Sequence, residues 1–307
     1  MDEIQKILLE QVADLHEVPA GAYNIRANGA TASRNTTANI DIVTKEEDGK
    51  PGIDIIIKPG TKKESVHIPV LLSQSGIKET VYNDFHIGDD CDVTIVAGCG
   101  IHNGGKEASE HDGIHTFYVG KNAKVRYVEK HYGRGDGTGE RIMNPTTVLH
   151  LDEGAHMEME MVQIKGIDST IRITQAELAE DASLVVREKI MTHGKQFAKT
   201  DFTVDMNGDH SSADIVSRSV AKEESKQEFI SRINGNSDCT GHTECDAIIM
   251  DHASVTALPQ LTANHVDAGL IHEAAIGKIA GEQLIKLMTL GLTKEEAEEQ
   301  IISGFLK

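Results

Sequence analysis

Ile87-Gly-Asp-Asp-Cys-Asp-Val-Thr-Ile95 returns three times in altered form: as Val119-Gly-Lys-Asn-Ala-Lys-Val-Arg-Tyr127, as Leu151-Asp-Glu-Gly-Ala-His-Met-Glu-Met159 and as Leu178-Ala-Glu-Asp-Ala-Ser-Leu-Val-Val186. Each unit is an apolar residue, three turn formers, a small residue and then an alternating strand. The starts lie 32, 32 and 27 residues apart, and Met206 opens a weaker copy 28 residues further on. A period near 30 combined with two-residue alternation is the signature of a β-solenoid, in which each repeat stacks on its neighbours. Leucine-rich repeats share the period, but their Leu/Asn pattern is missing. An ordinary meander with evenly spaced hairpins is the plain alternative.

On either side of the repeats the pattern changes. Ile4, Leu8, Val12 and Leu15 share one helical stripe, so residues 2–16 read as a helix that Val18-Pro19-Ala20-Gly21 ends. Residues 35–82 alternate like strands, notably at 38–43, 53–57 and 66–72. From Ile276 the period becomes helical. Thr293 and Glu296 form a capping-box pattern, Gly291 separates two helices, and Ala297, Ile301 and Phe305 recur every four residues. The expected architecture is mainly β: a right-handed parallel β-helix over 35–275, an N-terminal helical segment over 1–34 and a C-terminal helical hairpin over 276–307.

Composition narrows the function. Of 307 residues, 49 are Asp or Glu and 30 are Lys or Arg, a net charge of −19. Such a surface repels phosphate backbones and anionic lipid, so neither nucleic acid nor membrane is expected as a partner. No apolar run approaches the 18 residues of a membrane span, and the acidic, amphipathic start is unlike a signal peptide. Four cysteines (Cys91, Cys99, Cys239 and Cys245) make no disulfide framework, which fits a reducing, cytoplasmic setting. Tryptophan is absent and aromatics are 4% of residues, so the core must be filled by aliphatic side chains and methionine.

In a solenoid, residues one period apart stack about 4.8 Å from each other. Cys245 precedes His272 by 27 residues and Glu273 by 28, so thiol, imidazole and carboxylate are expected on one patch, a metal-competent donor set. Cys239, His252 and His265 are further possible ligands. The plain alternative for such a cysteine is a small buried hydrophobe. Cys91 occupies the small-residue position of its repeat and reads as core. Cys99, between two glycines, has His131 one coil away, which is expected to lower its pKa or take its proton. It lies five coils from Cys245, roughly 24 Å along the axis. The run Gly133-Arg-Gly-Asp-Gly-Thr-Gly139 lacks the Lys-Ser/Thr of a phosphate loop and reads as a mobile loop.

The tail carries a resemblance. Ile271-His272-Glu273-Ala274-Ala275-Ile276-Gly277-Lys278-Ile279 resembles the His-Glu-Ala-x-x-x-Lys-Ile motif of the SufB/SufD family of iron–sulfur cluster assembly scaffolds. The segment from Leu290 to Phe305 resembles that family's C-terminal helices. Glu244-Cys245-Asp246 is similar to the stretch holding the essential SufB cysteine, and Val96-Ala97-Gly98-Cys99 to a second SufB cysteine proposed to receive sulfur. The resemblance spans about residues 65–307, with a reduced N-terminal region like that of single-copy members of minimal systems.

It implies a non-catalytic scaffold carrying a transient iron–sulfur cluster. It also implies a dimer, here a homodimer, and a SufC-like ABC ATPase docked on the C-terminal helices. Cys245 and Glu273 become the leading ligands, with His272 a third and Cys239 a further one, and Cys99 becomes the acceptor of incoming sulfur. Several residues of the SufB sulfur path find no match. Two other readings are a carbohydrate-active β-helix enzyme, which the lack of aromatic sugar platforms disfavours, and a purely structural interaction solenoid.

Overall fold

The five-residue unit of turn and small residue closes each coil through the left-handed backbone region. Asp90, Asn122, Gly154, Asp181 and His210 all have positive φ, between 54° and 68°. Asp, Asn and Gly tolerate that conformation best, which is why they recur just before the small residue. The Met206 copy carries one more turn residue before Ser211, and this extra residue weakens its match to the others.

A computed structural model describes residues 1–45 and 49–307; residues 46–48, inside the stretch read as strands, lie outside the described residues. The chain winds into a right-handed parallel β-helix of about eight coils, with 58% of residues in strands. Every coil contributes one strand to each of two ten-stranded sheets, so sequence neighbours alternate between sheets.

The first sheet runs through Lys62–Leu72, Asp92–His102, Lys124–Arg134, His156–Lys165, Ser183–Thr192, Ser211–Ala221, Cys239–Ile249 and Gly269–Gly277. The second runs through Gly52–Ile57, Lys78–Ile87, Ser109–Val119, Arg141–Met143 with Thr146–Leu151, Ser169–Leu178, Phe197–Met206, Lys226–Gly235 and Ser254–Ala263. Antiparallel strands start both sheets: the hairpin Ala22–Ala27 and Ala30–Asn35 in one, Ile40–Thr44 in the other. The β structure therefore begins at Ala22, and residues 22–34 are not part of a helical segment, because this hairpin pairs with the strand Lys62–Leu72.

Inward positions form columns. Phe85, Phe117, Leu149, Ala176, Val204 and Ile233 follow one another in register, with the Phe85 and Phe117 rings stacked at 4.2 Å. The small-residue column is Cys91, Ala123, Ala155, Ala182, Ser211 and Cys239, all buried. Each large apolar side chain so buried stabilises the fold by about 1.5–3 kcal/mol.

The helix α1 (Glu3–Ala13) starts at a capping box of Asp2 and Gln5 and ends at Asp14, in the left-handed region. It is shorter than the apolar stripe, and Leu15 packs against its cluster from beyond the helix end. Leu8, Leu9 and Val12 lie on the outer face of the first sheet. The contact is close because Gly98 and Gly100 offer no side chain; a Cβ on Gly98 would stand 2.4 Å from the Val12 carbonyl oxygen.

The Gly133–Gly139 run is not a loose loop. It lies on the preceding coil, where Gly137 N–H donates to Asn103 O (3.1 Å) and Gly139 N–H to Gly105 O (3.0 Å). Cβ atoms at Gly135, Gly137 or Gly139 would fall 2.2 Å from that coil's carbonyl oxygens. Alternate glycines are thus required for two backbones to approach. Beyond this overhang the coil shortens through Gly166–Asp168, and the spacing drops from 32 to 27 residues.

At the far end, α2 (Gly281–Thr289) and α3 (Lys294–Phe305) form the expected hairpin, with Thr293 and Glu296 in a capping box. Ile302 and Leu306 pack on Val220, with Ile248 and Met191 beside them. Helix α2 buries none of its residues.

Candidate functional site

Residues of the strand Cys239–Ile249 alternate between buried and half-exposed, so Gly241, Thr243, Cys245 and Ala247 face the interior. Cys245 is the last but one in an inward column that runs Ala97, Glu129, Met161, Glu188, Ser217, Cys245 and Ala274. The local period is 29 residues, not 27 or 28. Cys245 therefore pairs with Ala274, Thr243 with His272 and Glu244 with Glu273.

The expected convergence is corrected accordingly. His272 shares the inward face of Cys245, one strand away and two residues back, at a diagonal of about 7–8 Å. Its Nδ1 lies 3.0 Å from Thr243 Oγ1. Glu273 stands on the outer face beside Glu244, with the sheet between it and the Cys245 thiol. Cys239 is on the inward face, but six residues along the strand from Cys245, about 20 Å. It fills the small-residue column, as Cys91 does, and joins the apolar core. His252 and His265 lie in turns outside this strand pair.

Cys99 faces the interior five coils away, directly beside His131 in register. Next to it is a cavity of about 20 Å³ lined by Cys99, His111, His115, Glu129 and His131. His131 does not lower the thiol pKa. Burial, with Glu79 and Glu129 adding to it, pushes Cys99 well above the ordinary thiol range. His131 is instead engaged with Gln163, at 3.3 Å, and with Glu129, at 3.7 Å.

Between the two cysteines the interior carries a polar chain that the sequence reading missed. His115 Nδ1 lies 2.9 Å from Tyr127 Oη, and Tyr127 donates to Glu129 at 3.1 Å. The buried Arg172 guanidinium pairs with Glu129 and lies 3.5 Å from Glu188. Glu188 accepts from Thr200 (2.9 Å) and from Ser217 (2.7 Å), the register neighbour of Cys245.

Burial opposes the charge of both glutamates. At Glu129 the Arg172 guanidinium and His131 outweigh it and hold the carboxyl well below its usual range. At Glu188 burial prevails over Arg172 and the pKa is raised. Cys245 is pushed up to about 12 by burial, then by Glu188 and Asp246. The signal in the sequence was the set of ionisable residues at inward repeat positions: Glu129, Arg172 and Glu188 stand where apolar residues belong.

The last coil is open. Among the described residues the strands Ser254–Ala263 and Gly269–Gly277 each pair on one side only. Leu258 (54% exposed), Val266 (92%) and Ile271 (56%) stand uncovered there.

Fold and site together define a β-helix protein with a polar, thiol-bearing interior and an unpaired final coil. Residues 79–305 match the family model described as SUF system FeS cluster assembly, SufBD core domain. An iron–sulfur cluster assembly SufBD family protein of Methanocaldococcus jannaschii is 31% identical over 265 residues, 85% of this chain and 83% of that protein. A second, from Archaeoglobus fulgidus, is 30% identical over 256 residues, 81% of this chain and 66% of that protein. The iron–sulfur cluster assembly protein SufB of Bacillus subtilis is 33% identical over 102 residues, 32% of this chain and 22% of that protein. The chain belongs to the SufBD family of iron–sulfur cluster assembly proteins. No helix among the described residues is long and apolar enough to cross a membrane.

Proposed function

We propose that this chain is the scaffold on which iron–sulfur clusters are built and from which they pass to acceptor proteins, working in the cytoplasm with a SufC-like ABC ATPase. The observation that carries this reading is the Cys245 thiol, held inside the β-helix one strand from its open end, with a buried polar chain lying between it and Cys99. Cys99 receives sulfur and Cys245 is the principal cluster ligand. His272, on the same face, is the second. Glu273 lies across the edge strand and reaches the cluster only if the final coil rearranges or a second chain brings its own copy. Cys239 is the weakest ligand, since it stands six residues along the strand from Cys245, about 20 Å away.

A homodimer formed through the open coils supplies two copies of each ligand around a two-fold axis. The nascent cluster is cargo and not a resident cofactor. The ATPase docks on the C-terminal hairpin, where α2 presents Ile285 (62% exposed) and Met288 (44%) while α3 anchors the pair.

Anaerobic reconstitution with ferrous iron and sulfide, followed by absorption and Mössbauer spectroscopy, tests the reading. Cys245→Ser is expected to lose essentially all cluster with the β-rich circular dichroism unchanged, because thiolate binds iron far better than hydroxyl. Glu273→Gln should lose less and Cys239→Ser least. Full cluster retention in Cys245→Ser would overturn the assignment of this residue.

A further inference from the structure

On the outer face of this strand and the next, across the sheet from Cys245, three donors come together. One ring nitrogen of His242 and one carboxylate oxygen each of Glu244 and Glu273 lie within 4.8 Å of one another. Glu244 and Glu273 are direct register partners, and like charges placed opposite each other destabilise a sheet. Neither makes an ion pair among the described residues; burial and then the neighbouring Asp246 raise the Glu244 pKa, while Arg218 and His242 pull it down.

The imidazole is not free to turn. His242 Nδ1 lies 2.8 Å from Asp214 Oδ1, and Asp214 is itself held by Arg187. A carboxylate behind a histidine is the arrangement that orients metal-ligating imidazoles. His242 and Glu244, with Arg187 and Asp214, line one side of a groove of about 580 Å³, wide enough for a hydrated ion.

We infer that His242, Glu244 and Glu273 form a divalent-cation site, distinct from the inward thiol site. One nitrogen and two carboxylate oxygens suit a ferrous or similar first-row ion whose remaining positions are filled by water. The outer face also contains Asp54, Asp84 and His86 within the same span, but there Lys45 already supplies the positive charge. At the His242 site Lys189, Arg218 and Lys307 line the groove, but among the described residues none of them pairs with Glu244 or Glu273. The charge of an ion would relieve the Glu244–Glu273 repulsion. That the site stages iron for the cluster rests on the scaffold reading; that it binds a divalent ion does not.

The test is an anaerobic cobalt(II) titration of the full chain, read by calorimetry and by optical spectroscopy. One equivalent is expected to bind with weak ligand-field bands and no intense thiolate charge-transfer band. Cys245→Ser should leave this binding unchanged. Glu244→Gln and His242→Ala should each weaken it at least tenfold, and Asp214→Asn about 10–100-fold. Equal affinity in wild type, Glu244→Gln and His242→Ala would overturn the site. So would a strong charge-transfer band that vanishes in Cys245→Ser. Reconstitution separates the two ideas: a chain that binds cobalt in this way but takes up no cluster would sink the scaffold reading and leave the cation site standing.

Discussion

Arg172 is the largest side chain that the interior takes in completely, and it stands between two glutamates. Burying a charge is tolerable only where partners compensate, and removing one partner exposes the whole penalty. Arg172→Met should therefore cost about 3–5 kcal/mol in urea unfolding. The triple variant Glu129→Gln, Arg172→Met, Glu188→Gln should recover most of that loss. A triple variant as unstable as the single one would show that packing, not charge, sets the cost. His115 provides a second measure of this interior. Burial lowers its pKa from 6.5 to about 4, although Glu129 pulls the other way. As pH falls through 6.5 the unfolded chain takes up the proton and the folded chain does not until about pH 4. Stability contributed by the neutral ring is thus full above pH 6.5 and declines between 6.5 and 4, by on the order of 3 kcal/mol. Urea midpoints across that window should fall in the wild type and fall less in His115→Gln. Parallel slopes would remove His115 as the source.

At the scale of elements, the two ends of the chain use helices differently. Helix α1 lies flat on the first sheet, with its apolar side buried over Gly98 and Gly100. The C-terminal hairpin is anchored by one helix and leaves the other uncovered. An apolar side left in water is costly unless a partner covers it, which is why α2 is the proposed ATPase contact. Ile285→Asp with Met288→Asp should abolish co-purification of the ATPase while leaving circular dichroism and the packing of α3 on Val220 intact. Deletion of residues 280–307 should have the same effect on binding. Undiminished ATPase binding in both would move the docking site elsewhere. The legibility of these elements had a simple basis: Thr293 and Glu296 mark a helix start by their own side chains. The end of α1 was less readable, because the apolar stripe continues through Leu15 while the backbone turns left-handed at Asp14.

For the whole molecule the unresolved demand is the last coil. Its two strands offer unpaired backbone edges and exposed aliphatic side chains, a template for pairing with another chain. We expect a homodimer through this end, and Leu258→Lys with Ile271→Lys should shift sedimentation to the monomer. A dimer unaffected by both changes would place the interface elsewhere. Cys245 is 1% exposed behind the final strand, so its thiol cannot meet its copy across such an interface without movement. Bismaleimide crosslinking between Cys245 residues of two chains should accordingly require the ATPase and ATP. Crosslinking indifferent to nucleotide would sink the gating idea and leave the dimer in place.

The sequence alone determined the coil. Turn formers before a small residue, then two-residue alternation, recurring near every 30 positions, admit few other structures because each repeat must stack to bury its apolar side. It also determined the small-residue role of Cys91 and the capped helical tail, both of which rest on local chemistry. Register was decided only by the tertiary structure. A shift of one residue moves a side chain through the sheet, so spacings of 27, 28 and 29 residues, nearly equivalent on paper, separate Glu273 from Cys245. The same holds for Glu129, Arg172 and Glu188, 43 and 16 residues apart in the chain. Their meeting depends on both sheets closing around one interior, and no local pattern encodes that distance.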